Sequence, residues 1–473
     1  MTIATASERL VESVGPIVVK EVRQGLRARV FAIFFGVLLT ACLALAFFSF
    51  ARAETMDDSG RYAFGSFLTA LGGVCFFVIP FLAFRSMARE VEDETWVLLS
   101  LTGLGAHAIT RGKWLSAMSQ AFLFGSACAP FVLFSYFLNG IDLLRIGVAL
   151  ALSMTWSAFL TALAVAIATQ AHSKLGRTIA LFVIIALLGL GTFAGVAFGW
   201  VLAREGQRLT YVEGLRNFTL GLGLFSSALT PLLLEGAASG LALPSENASR
   251  GPRLWLAGVT VLALVFGGVA FVTSDGSRTD ATAGQVITCF FLCLAGVFCI
   301  SERDGWPRQT SSQGHFRPGA LRSFLLVLGL LLLSTVVWGV MIANSTRGSL
   351  GGSGREVRGW LAAATYPVLY LSLAVVVGRG TPLRRLGEPV ATRVAFLGSV
   401  VVGVVLSAAL SAVVDGRPTG KTMNALNPLV GLINQLESGS SELETVLAFA
   451  IVAASSMAVA ALATLYLRDE VRT

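Results

Sequence analysis

Apolar residues in this chain run in unbroken blocks of roughly 20, and polar residues gather in the segments between them. A helix needs about 20 apolar residues to cross a bilayer core. The pattern predicts such helices over residues 30–50, 63–84, 115–138, 146–169, 178–202, 218–243, 254–273, 282–301, 323–344, 359–378, 392–413 and 445–467. The blocks are continuous rather than alternating, which argues against a β-barrel. The fold class that follows is all-α, a polytopic transmembrane helical bundle of about twelve spans. The sixth block stands apart, because it holds Pro231, several glycines and Glu235. If 218–243 is re-entrant, the count falls to eleven. Charge arbitrates, since Lys and Arg gather on the cytoplasmic side of short loops. Twelve spans with a cytoplasmic N-terminus put most of the 35 Lys and Arg on that side. Without the sixth span the two sides carry nearly equal numbers. Twelve spans are therefore expected, with both termini cytoplasmic.

Ahead of the first span, segment 16–29 is amphipathic. At helical spacing Lys20, Arg23, Gln24 and Arg27 share one face, and Val19, Val22 and Leu26 share another. A helix of this kind lies in the membrane interface with its basic side toward anionic headgroups. Pro16 suits a first helical position, where its missing N–H costs nothing. The apolar run that follows begins near Val30 and passes Phe50 without a credible cleavage site, so it reads as a span and not as a secretory signal.

Composition agrees. Hydrophobic residues make up 55% of the chain and charged residues 13%, against about 25% charged in ordinary soluble domains; the mean hydropathy is +0.77. The net charge of +8 reflects basic loops flanking the spans, so membrane topology explains it better than nucleic acid does. Cys42, Cys75, Cys128, Cys289, Cys293 and Cys299 all fall inside spans, as small buried hydrophobes rather than a disulfide framework. His107, His172 and His315 lie in separate loops. Segment 416–422 looks like a phosphate-binding loop, but it has three residues between Gly416 and Gly420 where the loop needs four. No arrangement of nucleophile, base and acid stands out, and the chain is not expected to be an enzyme.

Two further patterns bear on packing and transport. Gly191, Gly195 and Gly199 form a small-residue face on the fifth span, suited to close helix approach within the chain or between copies. Lys and Arg gather between the spans, and Glu235 is the acidic residue within one. Ion-coupled carriers usually hold ionisable groups in the membrane. Only the Pro231 and Glu235 region offers such an intramembrane polar site.

The segment after the second span is the richest in chemistry. Arg89-Glu90 and Glu92-Asp93-Glu94 form an acidic helical turn, and Trp96 and Leu99 follow as an apolar stripe placed to anchor at the interface. The order of features is Lys20-Glu21-x-Arg23 before span one, Glu90 to Thr102 after span two, Gly112-Lys113 opening span three, then Gln120, Pro130 and Asn139-Gly140. Over residues 15–170 this order resembles that of ABC transporter permeases of the type-2 exporter class. Thr102-Gly103 stands where such permeases often carry Thr-Pro. The resemblance implies a connecting helix around Lys20, Glu21, Arg23 and Arg27. It also implies a coupling loop, 86–112, docking on a separate ABC-type ATPase through Glu90, Glu92, Asp93, Glu94, Trp96 and Leu99. No cofactor is then bound by this chain; ATP and Mg belong to the partner.

The family unit has six spans with a Pro-containing segment between the last two, and Thr230-Pro231 and Asn427-Pro428 are both candidates. The chain is thus two degenerate units, or one with an extension. No second Lys-Glu-x-Arg element or acidic coupling loop is present. The expected division is residues 1–29 as a cytoplasmic segment, 30–273 as a first transmembrane region and 274–473 as a second. Membrane lipids and a second permease copy are the other expected partners, with no nucleic acid, in a bacterial inner membrane. The competing readings are a secondary transporter and a non-transporting membrane scaffold.

Overall fold

A computed structural model describes residues 16–52, 59–97, 105–138, 141–170, 174–204, 213–242, 249–273, 278–301, 319–344, 354–380, 382–383, 388–414, 427–428, 430–432 and 442–472. Thirteen long helices account for nearly all of them. The first, α1, is Pro16–Arg27. The spans are α2 (Arg29–Arg52), α3 (Ser59–Glu92), α4 (Ala106–Phe137), α5 (Leu143–Thr169), α6 (Lys174–Arg204) and α7 (Glu213–Leu241). They continue with α8 (Arg250–Thr273), α9 (Arg278–Ile300), α10 (Ala320–Ala343), α11 (Gly354–Gly380), α12 (Glu388–Val414) and α13 (Glu442–Arg472). Twelve of the thirteen are long and apolar enough to cross a membrane, so the chain is an integral membrane protein of the expected all-α class. Their outward surfaces carry large apolar side chains such as Phe47, Phe182, Phe193 and Leu332, as lipid contact requires.

The sixth span is a continuous helix through Pro231. It runs parallel to α5, with Gly223 against Leu152 at one level and Gly240 against Thr169 at another. It crosses at the same depth as its neighbour and does not turn back.

Two spans outgrow the apolar blocks that announced them. Helix α3 has 34 residues and α4 has 32; at about 1.5 Å per residue, α3 is about 20 Å longer than a hydrocarbon core of about 30 Å. Residues 86–92 and 106–112, expected as parts of a coupling loop, are therefore the protruding ends of these two spans. Within α3 the turn Gly73–Val78 is π-helical, and Ile79 N–H bonds to the Val74 carbonyl five residues back. Pro80 explains the wide turn, because a proline has no N–H for the usual bond. The buried Ser157 hydroxyl of α5 donates to the Cys75 carbonyl at 2.8 Å, supplying a partner within the widened turn.

The glycine face of α6 packs inside the chain. A Cβ on Gly191 would meet Leu160 of α5, one on Gly195 would meet Phe76 of α3 and Trp156 of α5, and one on Gly199 would touch Leu68 of α3. The Trp156 indole N–H donates to the Gly191 carbonyl at 3.0 Å.

Three arginines expected outside the spans, Arg145, Arg253 and Arg379, are buried, and Arg393, in the first turns of α12, is half-buried. Arg145 donates to the Leu202 carbonyl at 3.1 Å and Arg253 to the Gly319 carbonyl at 3.0 Å. Arg379 is 1% exposed. Arg393 bonds the Ser301 hydroxyl at 2.9 Å with its guanidinium 4.9 Å from the Phe298 ring centre. At Arg145 the guanidinium meets a carbonyl in the last turn of α6, where backbone acceptors lack an intrahelical donor; at Arg253 it shares the Gly319 carbonyl with the Arg322 and Ser323 N–H groups that open α10.

The chain divides into Met1–Ala248 and Ser249–Thr473, one span earlier than the 273/274 boundary expected from sequence. Helix α8 packs on α9 and α10, which places it in the second unit. Each unit then holds six spans, and the two share one neighbour plan among the described residues, glancing contacts aside. In each, the second span touches the first, third, fourth and fifth. The fourth also touches the third, fifth and sixth, and the third touches the first and sixth. This is the signature of an internal repeat, without a second α1 among the described residues. Since each unit has its own core, a chain cut in the 243–248 segment and expressed as two polypeptides should still insert. The first fragment alone should stay monodisperse in detergent, checked by gel filtration.

Candidate functional site

The protruding ends of α3 and α4 meet α1, α6 and α7 at one end of the first unit, where ion pairs join all five helices. Helix α1 forms as its periodicity dictates, with Lys20, Arg23, Gln24 and Arg27 exposed and Glu21, Val22, Gly25 and Leu26 half-buried. Glu21 and Gly25 are one turn apart on the inward face. Gly25 lies so close to α4 that a Cβ there would run into the Gln120 amide. The glycine is what lets α1 approach, and Glu21 then reaches Lys113.

Lys113 is the centre of the site. It lies two turns into α4 on a face with Ile109, Gly112, Ser116 and Ala117, and is 6% exposed. Its ammonium stands 2.7 Å from Glu90 Oε1, 3.3 Å from Glu21 Oε2 and 2.8 Å from the Ser86 hydroxyl. An ammonium has three donors, and here three partners on two other helices take them. Ser86 and Glu90, at i and i+4 on α3, present one face to Lys113. The other carboxylate oxygen of Glu90 is buried without a hydrogen-bond partner among the described residues. One cation thus holds two carboxylates, tightly on α3 and more loosely on α1.

Two further pairs complete the ring. Glu235 of α7, its side chain 8% exposed, receives the Arg111 guanidinium at 3.1 Å and lies 3.4 Å from His107 Nδ1. The Gln170 amide, at the end of α5, donates to the neighbouring Gly236 carbonyl at 3.2 Å. Glu235 therefore sits near the end of its span, paired with α4, one turn beyond Pro231. On the far face of α3, Glu92 pairs with Arg177 of α6 at 3.0 Å.

The acidic turn divides in two. Glu90 points inward to Lys113, while Glu92, Asp93 and Glu94 are exposed and Trp96 is half-buried against the core. Helix α3 stops at Asp93, whose N–H bonds the Arg89 carbonyl at 2.9 Å, and Glu94 takes a left-handed φ of 51°. That conformation costs a non-glycine residue roughly 1 kcal/mol, and it ends α3 while Trp96 still packs against the core. Leu99, Thr102 and Gly103 lie outside the described residues, as does the 416–422 segment.

Of the residues expected to form a connecting helix, Glu21 makes the contact, while Lys20, Arg23 and Arg27 face outward. Lys113, Arg111, His107, Ser86 and Arg177 had no assigned role in the sequence reading. Lys113 stands just ahead of the apolar block 115–138, so its place two turns inside α4 follows only from the helix extending beyond that block. Comparison of the chain with protein-family models, with characterised proteins and with solved structures finds no match.

Proposed function

We propose that this chain is the membrane-spanning permease subunit of an ATP-driven transporter of the ABC type, working as an exporter and energised by a separate ATPase. The observation that carries the reading is the Glu21–Lys113–Glu90 bridge. It ties the amphipathic α1 and the root of the acidic turn to the base of α4, so force applied at that turn reaches three helices at once. The exposed Glu92, Asp93 and Glu94 offer the ATPase an acidic surface at the end of α3, with Trp96 anchoring it. Lys20, Arg23 and Arg27 face anionic headgroups. In this reading the α3–α4 end is cytoplasmic, the membrane is the bacterial inner membrane, and ATP and Mg are held by the partner.

Glu235 also bears on the choice. A proton- or sodium-driven carrier would use an ionisable group near the middle of the bilayer, whereas Glu235 is ion-paired near the end of α7. That favours an externally driven pump over a carrier. The test is charge reversal at Glu92 and Glu94 together. The variant should insert and purify normally yet lose most of its ATPase co-purification, and nucleotide-stimulated transport with it. A variant that retains its ATPase would overturn the docking assignment, and absence of any nucleotide-binding partner would favour a scaffold.

A further inference from the structure

Helices α3 and α6 enclose a groove of about 500 Å³ beside the ion-pair ring, on the opposite face of α3 from Lys113. Its upper wall carries Arg85, Arg89 and Arg177, with Glu92 as the one carboxylate, and its floor is Phe84, Ala88 and Leu181. Glu92 is already taken by Arg177. Among the described residues Arg85 and Arg89 have no acidic partner, though both lie where α3 leaves the apolar part of the bundle. Helix dipole compensation accounts for Arg89 in the last turn but not for Arg85, a full turn deeper. Directly below Arg85, at four-residue spacing on the same helix face, Phe81 and Phe77 stack with ring centres 6.1 Å apart. Across the groove, Ile185 of α6 lies one turn beyond Leu181 and is exposed. The arrangement is a cationic pocket above an apolar track.

We infer that this groove binds the phosphate of an anionic membrane lipid, with Arg85 and Arg89 on the headgroup and an acyl chain along Phe81 and Phe77. Guanidiniums suit phosphate because their planar fork donates two parallel hydrogen bonds. Basic pockets between spans at a membrane face are where such headgroups are held. The aromatic track makes a lipid a better fit than free phosphate, which would use the pocket alone. The inference needs only the membrane-spanning fold, and stands or falls apart from the transport reading.

The test uses the full chain purified in neutral detergent and titrated with phosphatidylglycerol or phosphatidylcholine, bound lipid being counted by native mass spectrometry. Phosphatidylglycerol should bind at least tenfold more tightly. The Arg85→Gln/Arg89→Gln variant should weaken it roughly thirtyfold, at about 1 kcal/mol for each basic residue. An Arg250→Gln/Arg468→Gln control, at two exposed basic positions outside the groove, should change it by less than twofold. Arg85→Lys/Arg89→Lys, which keeps the charge, should fold like the parent and show a smaller loss, so failure of the glutamine variant to fold would not spare the inference. Equal binding of the two lipids, or equal losses in the groove and control variants, would overturn it. Full competition by inorganic phosphate at the lipid's own affinity would also overturn it, marking a free-anion site.

Discussion

Replacing Lys113 with alanine should lower the stability of the chain by about 3 kcal/mol, the low end of what removing one member of a buried ion pair costs. The low end applies because Glu21 and Glu90 keep 17% and 21% of their side chains exposed, so water offsets part of the lost partner. The damage is that of two carboxylates facing each other across an empty site. A triple variant, Glu21→Gln, Glu90→Gln and Lys113→Met, should therefore recover most of the loss, since no unpaired charge remains. SDS-titrated unfolding in detergent measures both. Lys113→Ala should also free α1, and trypsin should then cut after Lys20, Arg23 and Arg27 several times faster than in the parent. If the single variant is as stable as the parent and no more open to trypsin, the bridge does not hold α1.

The second large effect is expected at Gly378 in α11. A Cβ there would lie 2.8 Å from the Thr392 Cα and 3.0 Å from its backbone nitrogen, on α12. Backbone does not rotate aside. Gly378→Ala should therefore push two helices apart and cost about 1–3 kcal/mol, the usual range for overpacking. Gly191→Ala is the control. Its obstacle is the Leu160 methyl at 2.7 Å, the far end of a flexible side chain, so the cost should be well below that at Gly378. Equal losses at the two positions would show that the glycine contacts are softer than the distances say.

These two sites mark the line between what the sequence discloses and what only the fold does. The spans were legible because each is a local property of about 20 residues, and so were the two faces of α1. Lys113 was visible, but its partners were not. Glu90 and Glu21 lie 23 and 92 residues away along the chain, and nothing local says which of several nearby basic residues each will meet. The lengths of α3 and α4 were hidden for another reason: their protruding ends are polar, so a hydropathy pattern stops at the membrane surface while the helix continues. Pro80 lies in plain view within the second block, yet the π turn it produces depends on the whole preceding turn and on Ser157 of another helix. Arg145 and Arg253 escaped because a guanidinium binding a carbonyl near a helix end leaves no motif.

The shared neighbour plan of the two six-span units has a consequence for how this protein can change over generations. In an assembly of identical six-span chains, every substitution appears twice, and a contact adapted to one task is imposed on both copies. Here the two copies are encoded separately and can drift under different demands, as long as each keeps its own packing. The first has α1 and the Lys113 bridge; the second, among its described residues, has the same helix adjacency without them. A single polypeptide of this kind can receive its input through one half alone, while the other is released to specialise.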